Sequence, residues 1–361
     1  MPEAVVAEAP GRVNLIGEHT DYHEGLVLPA TIPQRTRVAL TPRTDRRVRA
    51  SSGPMAQSAE YVLDHETAGR GWLDYVQGVT AQLARDGTRV PGCEITIESS
   101  VPVGAGVSSS AALTVALLRA FRAWLDLPLD DRAIAGLAHA VETDFVGAPV
   151  GVMDQMAVSL GRPGEALFID TRTLACDRLP LPRELELVII DSGVPHHHAG
   201  GGYVTRRKES FEASALLGVR VLRDLTMEDL PRLAALPPML ERRARHIITE
   251  NQRVLETTAA LRRDDIAALG PLFAASHASL RDDYEVSTPD VDALVTLAQA
   301  HPDIIAARMT GGGFGGAVVM IARVGTGARA ARELRERYQR TRQRHATVLV
   351  PPDLPPEARR A

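Results

Sequence analysis

The run Gly104-Ala-Gly-Val-Ser-Ser-Ser110 leads straight into Ala111-Ala-Leu-Thr-Val-Ala-Leu-Leu118, and no other stretch constrains the chain as strongly. Two glycines let the backbone turn tightly and approach an anion closely. The serines stand where a helix should begin, and the apolar run after them reads as a buried helix. Such a junction offers N–H groups and the positive end of a helix dipole to its occupant, which suits phosphate. It lacks the G-x-x-x-x-G-K-[ST] pattern, so it is no ordinary P-loop with a lysine on the phosphates. A serine-capped helix after a glycine turn explains the same residues without a ligand.

The rest of the chain narrows the choice. At 361 residues it is long enough for two domains. Hydrophobic residues make up 45% and charged ones 24%, the balance of a soluble globular protein. A net charge of -4 without a basic block, and only 4% aromatics, speak against a nucleic-acid surface. Cys93 and Cys176 are far apart and read as thiols or at most one bridge, and not as a disulfide framework or zinc site. No apolar stretch approaches the roughly 18 residues that span a bilayer. Met1-Pro-Glu-Ala has no basic region followed by an apolar core, so no secretory signal is read and a cytoplasmic protein is expected.

Periodicity places the elements. Short strands are expected at 5–7 and 37–41, and the alternation at 94–98 has the period of a half-buried strand. Helices are expected at 109–125 and 130–145, the second capped by Asp130 or Asp131. Strands follow at 166–170 and 185–191, with a candidate domain boundary near Pro180 and Pro182. The second half should hold helices at 203–217, 239–258, 264–277 and 290–300, then a strand at 317–322. The tail from Pro351 is proline-rich and charged, and is expected to be mobile.

Three further stretches carry chemistry. Gly11-Arg-Val-Asn-Leu-Ile-Gly-Glu-His-Thr-Asp-Tyr22 crowds Glu18, His19 and Asp21 together. Carboxylates accept from hydroxyls and neutral histidine can donate or accept, so the loop suits a neutral polyhydroxylated ligand; a solvated turn is the bland alternative. Gly151-Val-Met-Asp-Gln155 holds a lone aspartate in an apolar stretch, which needs a partner if buried or else caps a helix. Gly311-Gly-Gly-Phe-Gly-Gly316 is a tight connection that could close over a nucleotide if paired with a second anion loop.

In this order the segments resemble the galactokinases of the galactokinase–homoserine kinase–mevalonate kinase superfamily. Gly11–Tyr22 with Val27-Leu-Pro29, Val101–Ala111 and Met309–Gly316 carry the match, joined by Gly151–Met156 and Ser276–Val286. The resemblance runs from about residue 9 to residue 322, and its first motif is the one most specific to galactokinases.

The resemblance implies an α+β fold in two domains. The N-terminal one is ribosomal-protein-S5-domain-2-like over 1–180, the C-terminal one ferredoxin-like over 181–350, with the active site in the interdomain cleft. It implies ATP-dependent phosphorylation of the anomeric hydroxyl of galactose, the first step of galactose catabolism, with Mg²⁺. Asp154 matches the catalytic aspartate and Arg12 the arginine beside it. Glu18, His19, Thr20, Asp21, Gly151, Asp154 and Tyr203 match sugar-binding positions. Gly104, Ala105, Gly106, Val107, Ser108, Ser109 and Ser110 match the phosphate loop, and Ser110 and Glu142 the Mg²⁺ ligands. Trp72 resembles a residue near the adenine pocket, although core packing explains it as well. Small-molecule substrates, no nucleic acid, no membrane and a monomer are the expected partner pattern.

Three departures qualify the match. The chain begins almost at the first motif, without the leading segment of most relatives, so weaker packing under the sugar loop is expected. Pro195 stands where an arginine is often found, beside His196, His197 and His198, which are read as a polar loop in preference to a metal site. Ala317 replaces a cysteine. Arg206-Arg-Lys208 reads as a solvated helix face. A kinase of N-acetylgalactosamine, arabinose or galacturonate, or a non-catalytic sensor of sugar and ATP, stays open.

Overall fold

The structure is a computed structural model that describes residues 4–194 and 201–351. Its strands are β1 (Val5–Asn14), β2 (Leu26–Val27), β3 (Pro29–Pro42), β4 (Arg47–Ser52), β5 (Gln57–Val62), β6 (Cys93–Ser99), β7 (Glu165–Asp170), β8 (Ala175–Pro180), β9 (Leu185–Asp191), β10 (Ile304–Met309), β11 (Ala317–Arg323) and β12 (Thr347–Val350). The helices are α1 (Leu73–Arg85), α2 (Ser109–Leu125), α3 (Asp131–Ala140), α4 (Met153–Leu160), α5 (Gly202–Leu216), α6 (Pro238–Arg262), α7 (Ile266–Asp282), α8 (Pro289–Gln299) and α9 (Gly327–Arg342). Two compact units emerge, one of 1–12, 31–103 and 107–161, the other of 13–30, 104–106 and 162–361. The Pro180–Pro182 break lies inside the second of these units.

In the first unit, β6 alternates buried Ile95 and Ile97 with exposed Glu94, Thr96 and Glu98, as its sequence period requires. It pairs antiparallel with β3, Val38 opposite Ile97, and parallel with β4, which carries β5 on its other side. The helices α1, α2, α3 and α4 pack on one another and share one hydrophobic core with these strands. Apolar on most of its surface, α2 is a core helix: Val115, Leu117, Leu118 and Phe121 are fully buried. Asp130 caps α3 by accepting from Ala133 N at 2.7 Å. The expected helix over 130–145 is not one regular helix. It ends at Ala140 and continues as a single π turn, Val141–Phe145. Such turns locally re-aim side chains, and this one carries Glu142.

In the second unit, β12-β9-β11-β10 form an antiparallel sheet. In chain order that reads fourth, first, third, second, with helices after the first and third strands, the ferredoxin-like arrangement expected. All of β11 but Arg323 is buried, and α7, α8 and α9 pack on the sheet. A second set of strands joins β2 and β8 to β7. No helix among the described residues is long and apolar enough to cross a membrane.

Candidate active site

The first unit assembles Arg12, Ser108, Ser110, Glu142 and Asp154. Arg12 lies on β1, which extends to Asn14, so the motif read as a loop begins as a strand. Its Nε donates to Asp154 Oδ1 and its Nη2 to Oδ2, each at 2.7 Å, a bidentate pair of the strongest kind. The arginine is buried, whereas the aspartate side chain is 27% exposed and so can meet a ligand. Asp154 sits in the first turn of α4 and does not act as its cap, which is Val152. Ser108 Oγ donates to Asp154 Oδ2 at 2.5 Å.

A second pair lies close by. Ser110 Oγ donates to Glu142 Oε2 at 3.3 Å, and Gln155 Nε2 donates to Oε1 at 2.9 Å. Burial, and then the charge of Asp154, push the Glu142 carboxyl up to about 7. A buried carboxylate this costly to ionise, beside a hydroxyl, is a hard-oxygen pair that a divalent cation would complete. Mg²⁺ takes few protein ligands, leaving phosphate and water to fill its octahedron. Among the described residues no cluster of three or more His, Cys, Asp or Glu is placed to hold a metal. Gly151 lies in the turn before α4 and is partly exposed.

The second unit holds the rest of the first motif and both other glycine segments. Gly17 has φ +106°, and a Cβ there would stand 2.6 Å from Leu26 O, so only glycine fits. Its N–H donates to Glu250 Oε1 at 2.9 Å. Glu18 is nearly inaccessible. It accepts from Gly311 N at 2.7 Å and Asn14 Nδ2 at 2.8 Å, and its Oε2 pairs with Arg308 Nη1 at 2.8 Å. Thr310 has one hydroxyl hydrogen to share between Asn14 O and Glu18 Oε1. Burial raises the Glu18 carboxyl above its ordinary value against the pull of Arg308. Burial acts on Glu250 too, but Arg253, Arg308 and His246 outweigh it and bring that carboxyl to about 2.

His19 faces Gly312 O through Nε2 at 3.1 Å, and a carbonyl can only accept, so Nε2 carries a hydrogen. In the neutral ring Nδ1 then accepts from Tyr22 Oη at 2.9 Å, and Tyr22 in turn accepts from Tyr284 Oη at 2.7 Å. Thr20 is fully buried and its hydroxyl serves Gly17 O and Leu26 O. Asp21 and Tyr203 are the partly exposed polar members of this group, with the Tyr203 ring 5.3 Å from that of His19. Gly104–Gly106 lie against Gly311–Gly316: a Cβ on Gly311 would come within 3.1 Å of Gly106 O. The two glycine loops thus meet backbone to backbone, as the paired reading of them required.

Trp72 is at the start of α1, where its Nε1 donates to Gln57 Oε1 at 2.8 Å. Arg206 is no solvated charge. It pairs with Glu209 at 3.0 Å and donates to Tyr284 O at 2.6 Å, while Arg207 covers the Phe211 ring at 5.2 Å. Pro195, His196, His197 and His198 lie outside the described residues. Glu250, Arg308, His246 and Tyr284 escaped the reading of the sequence. Two of them left a trace: Arg308 as a charge inside the apolar run Ala306-Ala-Arg-Met309, and Tyr284 inside the segment Ser276–Val286.

The chain is similar to known proteins along nearly its whole length. The galactokinase galactose-binding signature matches residues 1–42, the GHMP kinases N terminal domain 74–162, and the GHMP kinases C terminal domain 257–340. A galactokinase of Roseiflexus sp. (strain RS-1) is 41% identical over 353 residues, covering 96% of this chain and 90% of that protein. One from Haemophilus influenzae is 41% identical over 336 residues, covering 89% and 86%. The crystal structure of Lactococcus lactis galactokinase complexed with galactose superposes with a TM-score of 0.91 at 30% identity, covering 96% of this chain and 92% of that one. Methanococcus jannaschii mevalonate kinase shares the fold, with a TM-score of 0.69 at 17% identity over 96% and 97% of the two chains.

Proposed function

Because the chain belongs to the galactokinases of the GHMP kinase family, we propose that it transfers the terminal phosphoryl group of ATP to the anomeric hydroxyl of α-D-galactose, giving galactose 1-phosphate and ADP. The observation that carries the reading is the partly exposed Asp154 carboxylate, gripped on both oxygens by Arg12. Phosphoryl transfer through a loose transition state depends on positioning and charge stabilisation more than on early proton removal. Asp154 accordingly accepts a hydrogen bond from the anomeric hydroxyl and takes its proton as the new P–O bond forms. The bond to ADP breaks with its electron pair on the departing phosphate oxygen. The Arg12 guanidinium fixes the plane of Asp154 and offsets charge on the transferring group.

Ser110 and Glu142 are the residues that would hold Mg²⁺, which when bound neutralises charge on the phosphate oxygens. Gly104–Ser110 supplies backbone donors for the ATP phosphates. Asp21, Tyr203 and Gly151 are read as the groups on the sugar hydroxyls, while Glu18, His19 and Thr20 hold the frame that carries Asp21. A site built to pair a hydroxyl rejects a sugar that lacks it, which makes hydrogen bonding the source of selectivity. The reading takes the enzyme as a cytoplasmic monomer.

Asp154→Asn tests the central assignment. Turnover is expected to fall about 10³-fold, within the span of lost general-base and positioning groups, with ATP affinity nearly unchanged. Wild-type turnover in a folded Asp154→Asn variant would contradict it.

A further inference from the structure

Ser108 stands at the N-cap of α2, where a serine ordinarily turns its hydroxyl back onto the first N–H groups of the helix. Here the side chain makes no such bond. Its backbone is left-handed, φ 62° and ψ 50°, a region that is costly for a residue with a Cβ. The side chain is buried and its hydroxyl reaches Asp154 Oδ2 at 2.5 Å. Two local preferences are thus set aside at one residue, and the result is a short contact to the carboxylate. The serines of the loop are divided in use: Ser108 turns to Asp154 and Ser110 to Glu142.

The acceptor count on Asp154 gives that contact meaning. A carboxylate has about four acceptor directions. Arg12 Nη2 and Ser108 Oγ both reach Oδ2, while Arg12 Nε reaches Oδ1. Nη2 also lies 2.7 Å from Oδ1, but its hydrogen bond is to Oδ2, so among the described residues the remaining direction lies on Oδ1. We propose that Ser108 is a positioning residue for phosphoryl transfer, which saturates Asp154 Oδ2 and presents Oδ1 to the sugar hydroxyl. This rests on the reading of Asp154 as the acceptor, and it gives Ser108 a duty distinct from contact with phosphate.

The experiment compares Ser108→Gly, Ser108→Ala and Ser108→Asn with Asp154→Asn, and measures kcat, the KM for each substrate and the melting temperature. Glycine accepts the left-handed backbone, so Ser108→Gly is expected to melt at or above the wild-type temperature. Its kcat is nonetheless expected to fall about 10- to 100-fold, the scale of a slightly misplaced catalytic group, with both KM values within about twofold. Asparagine tolerates the same backbone and keeps a donor, so Ser108→Asn recovers part of the lost kcat while Ser108→Ala does not. Adding Ser108→Gly to Asp154→Asn costs no further activity. Wild-type kcat in Ser108→Gly overturns the proposal, as does a raised KM for ATP at unchanged kcat, which would assign the hydroxyl to phosphate. Full activity in Asp154→Asn alone would remove the acceptor reading on which the proposal stands, a result separable from failure at Ser108.

Discussion

Replacing Glu18 by glutamine would set the fully buried guanidinium of Arg308 against a neutral amide where a carboxylate now lies 2.8 Å away. Breaking one side of a buried pair is costly because the other charge stays buried; Glu250 at 3.7 Å still opposes it but lies beyond hydrogen-bond reach and does not replace the lost contact. Glu18→Gln is therefore expected to lose about 3 kcal/mol of stability in urea unfolding. A loss under about 1 kcal/mol would show that the pair is not needed to hold the frame. At this scale the sequence identified which residues gather more reliably than what each one does. Asp154 stood out because a charge in an apolar stretch needs a partner, and Arg12 through the family resemblance alone. Glu18 and His19 read as ligand contacts because nothing in a linear motif reveals that Arg308, Gly311 and Gly312, nearly three hundred positions away, already engage them.

Two elements of the second unit carry neutral buried histidines that make its stability depend on pH. His23, in the turn Asp21–His23, lies 2.8 Å from Ser210 and stacks on Phe211; burial, then Arg207, lowers its pKa to about 3. His246 on α6 is held at about 4, mainly by burial. Below the ordinary value of 6.5 the unfolded chain protonates both rings and the folded chain does not. Their contribution is therefore whole above that pH and is lost as pH falls toward 4, by about 1.4 kcal/mol per unit for each ring. Glu142 and Glu18, raised by burial, act in the opposite sense over the same range, so the test is a comparison: from pH 6.5 to 4.5 His246→Gln should lose less melting temperature, or gain more, than the wild type, and an identical pH dependence would contradict the assignment. Helices and strands with a clear period were legible, as at β6 and α2. The π turn at Val141–Phe145 was not, because its residues continue the helical pattern of α3 and only tertiary packing selects the wider turn.

For the molecule as a whole, the two-part α+β architecture followed from motif order, and the antiparallel sheet of β9 to β12 has the expected strand order. The division into units was harder to read, since segments 13–30 and 104–106 fold with the later part of the chain. Composition gives no sign of such interleaving, because a short polar segment can serve either unit. The sugar motif and the phosphate loop each change unit partway along, so each contributes residues to both.

Sugar-dependent ADP release checks ATP-dependent phosphorylation of galactose in a single assay. Galactose, N-acetylgalactosamine, glucose, arabinose and galacturonate would be compared at equal concentration with Mg²⁺ and ATP. Release should depend on galactose and be far weaker with each other sugar, since one mispaired hydroxyl can cost about 10⁴-fold. Release driven by another sugar but not by galactose, or no release with any sugar while ATP still binds, would contradict it.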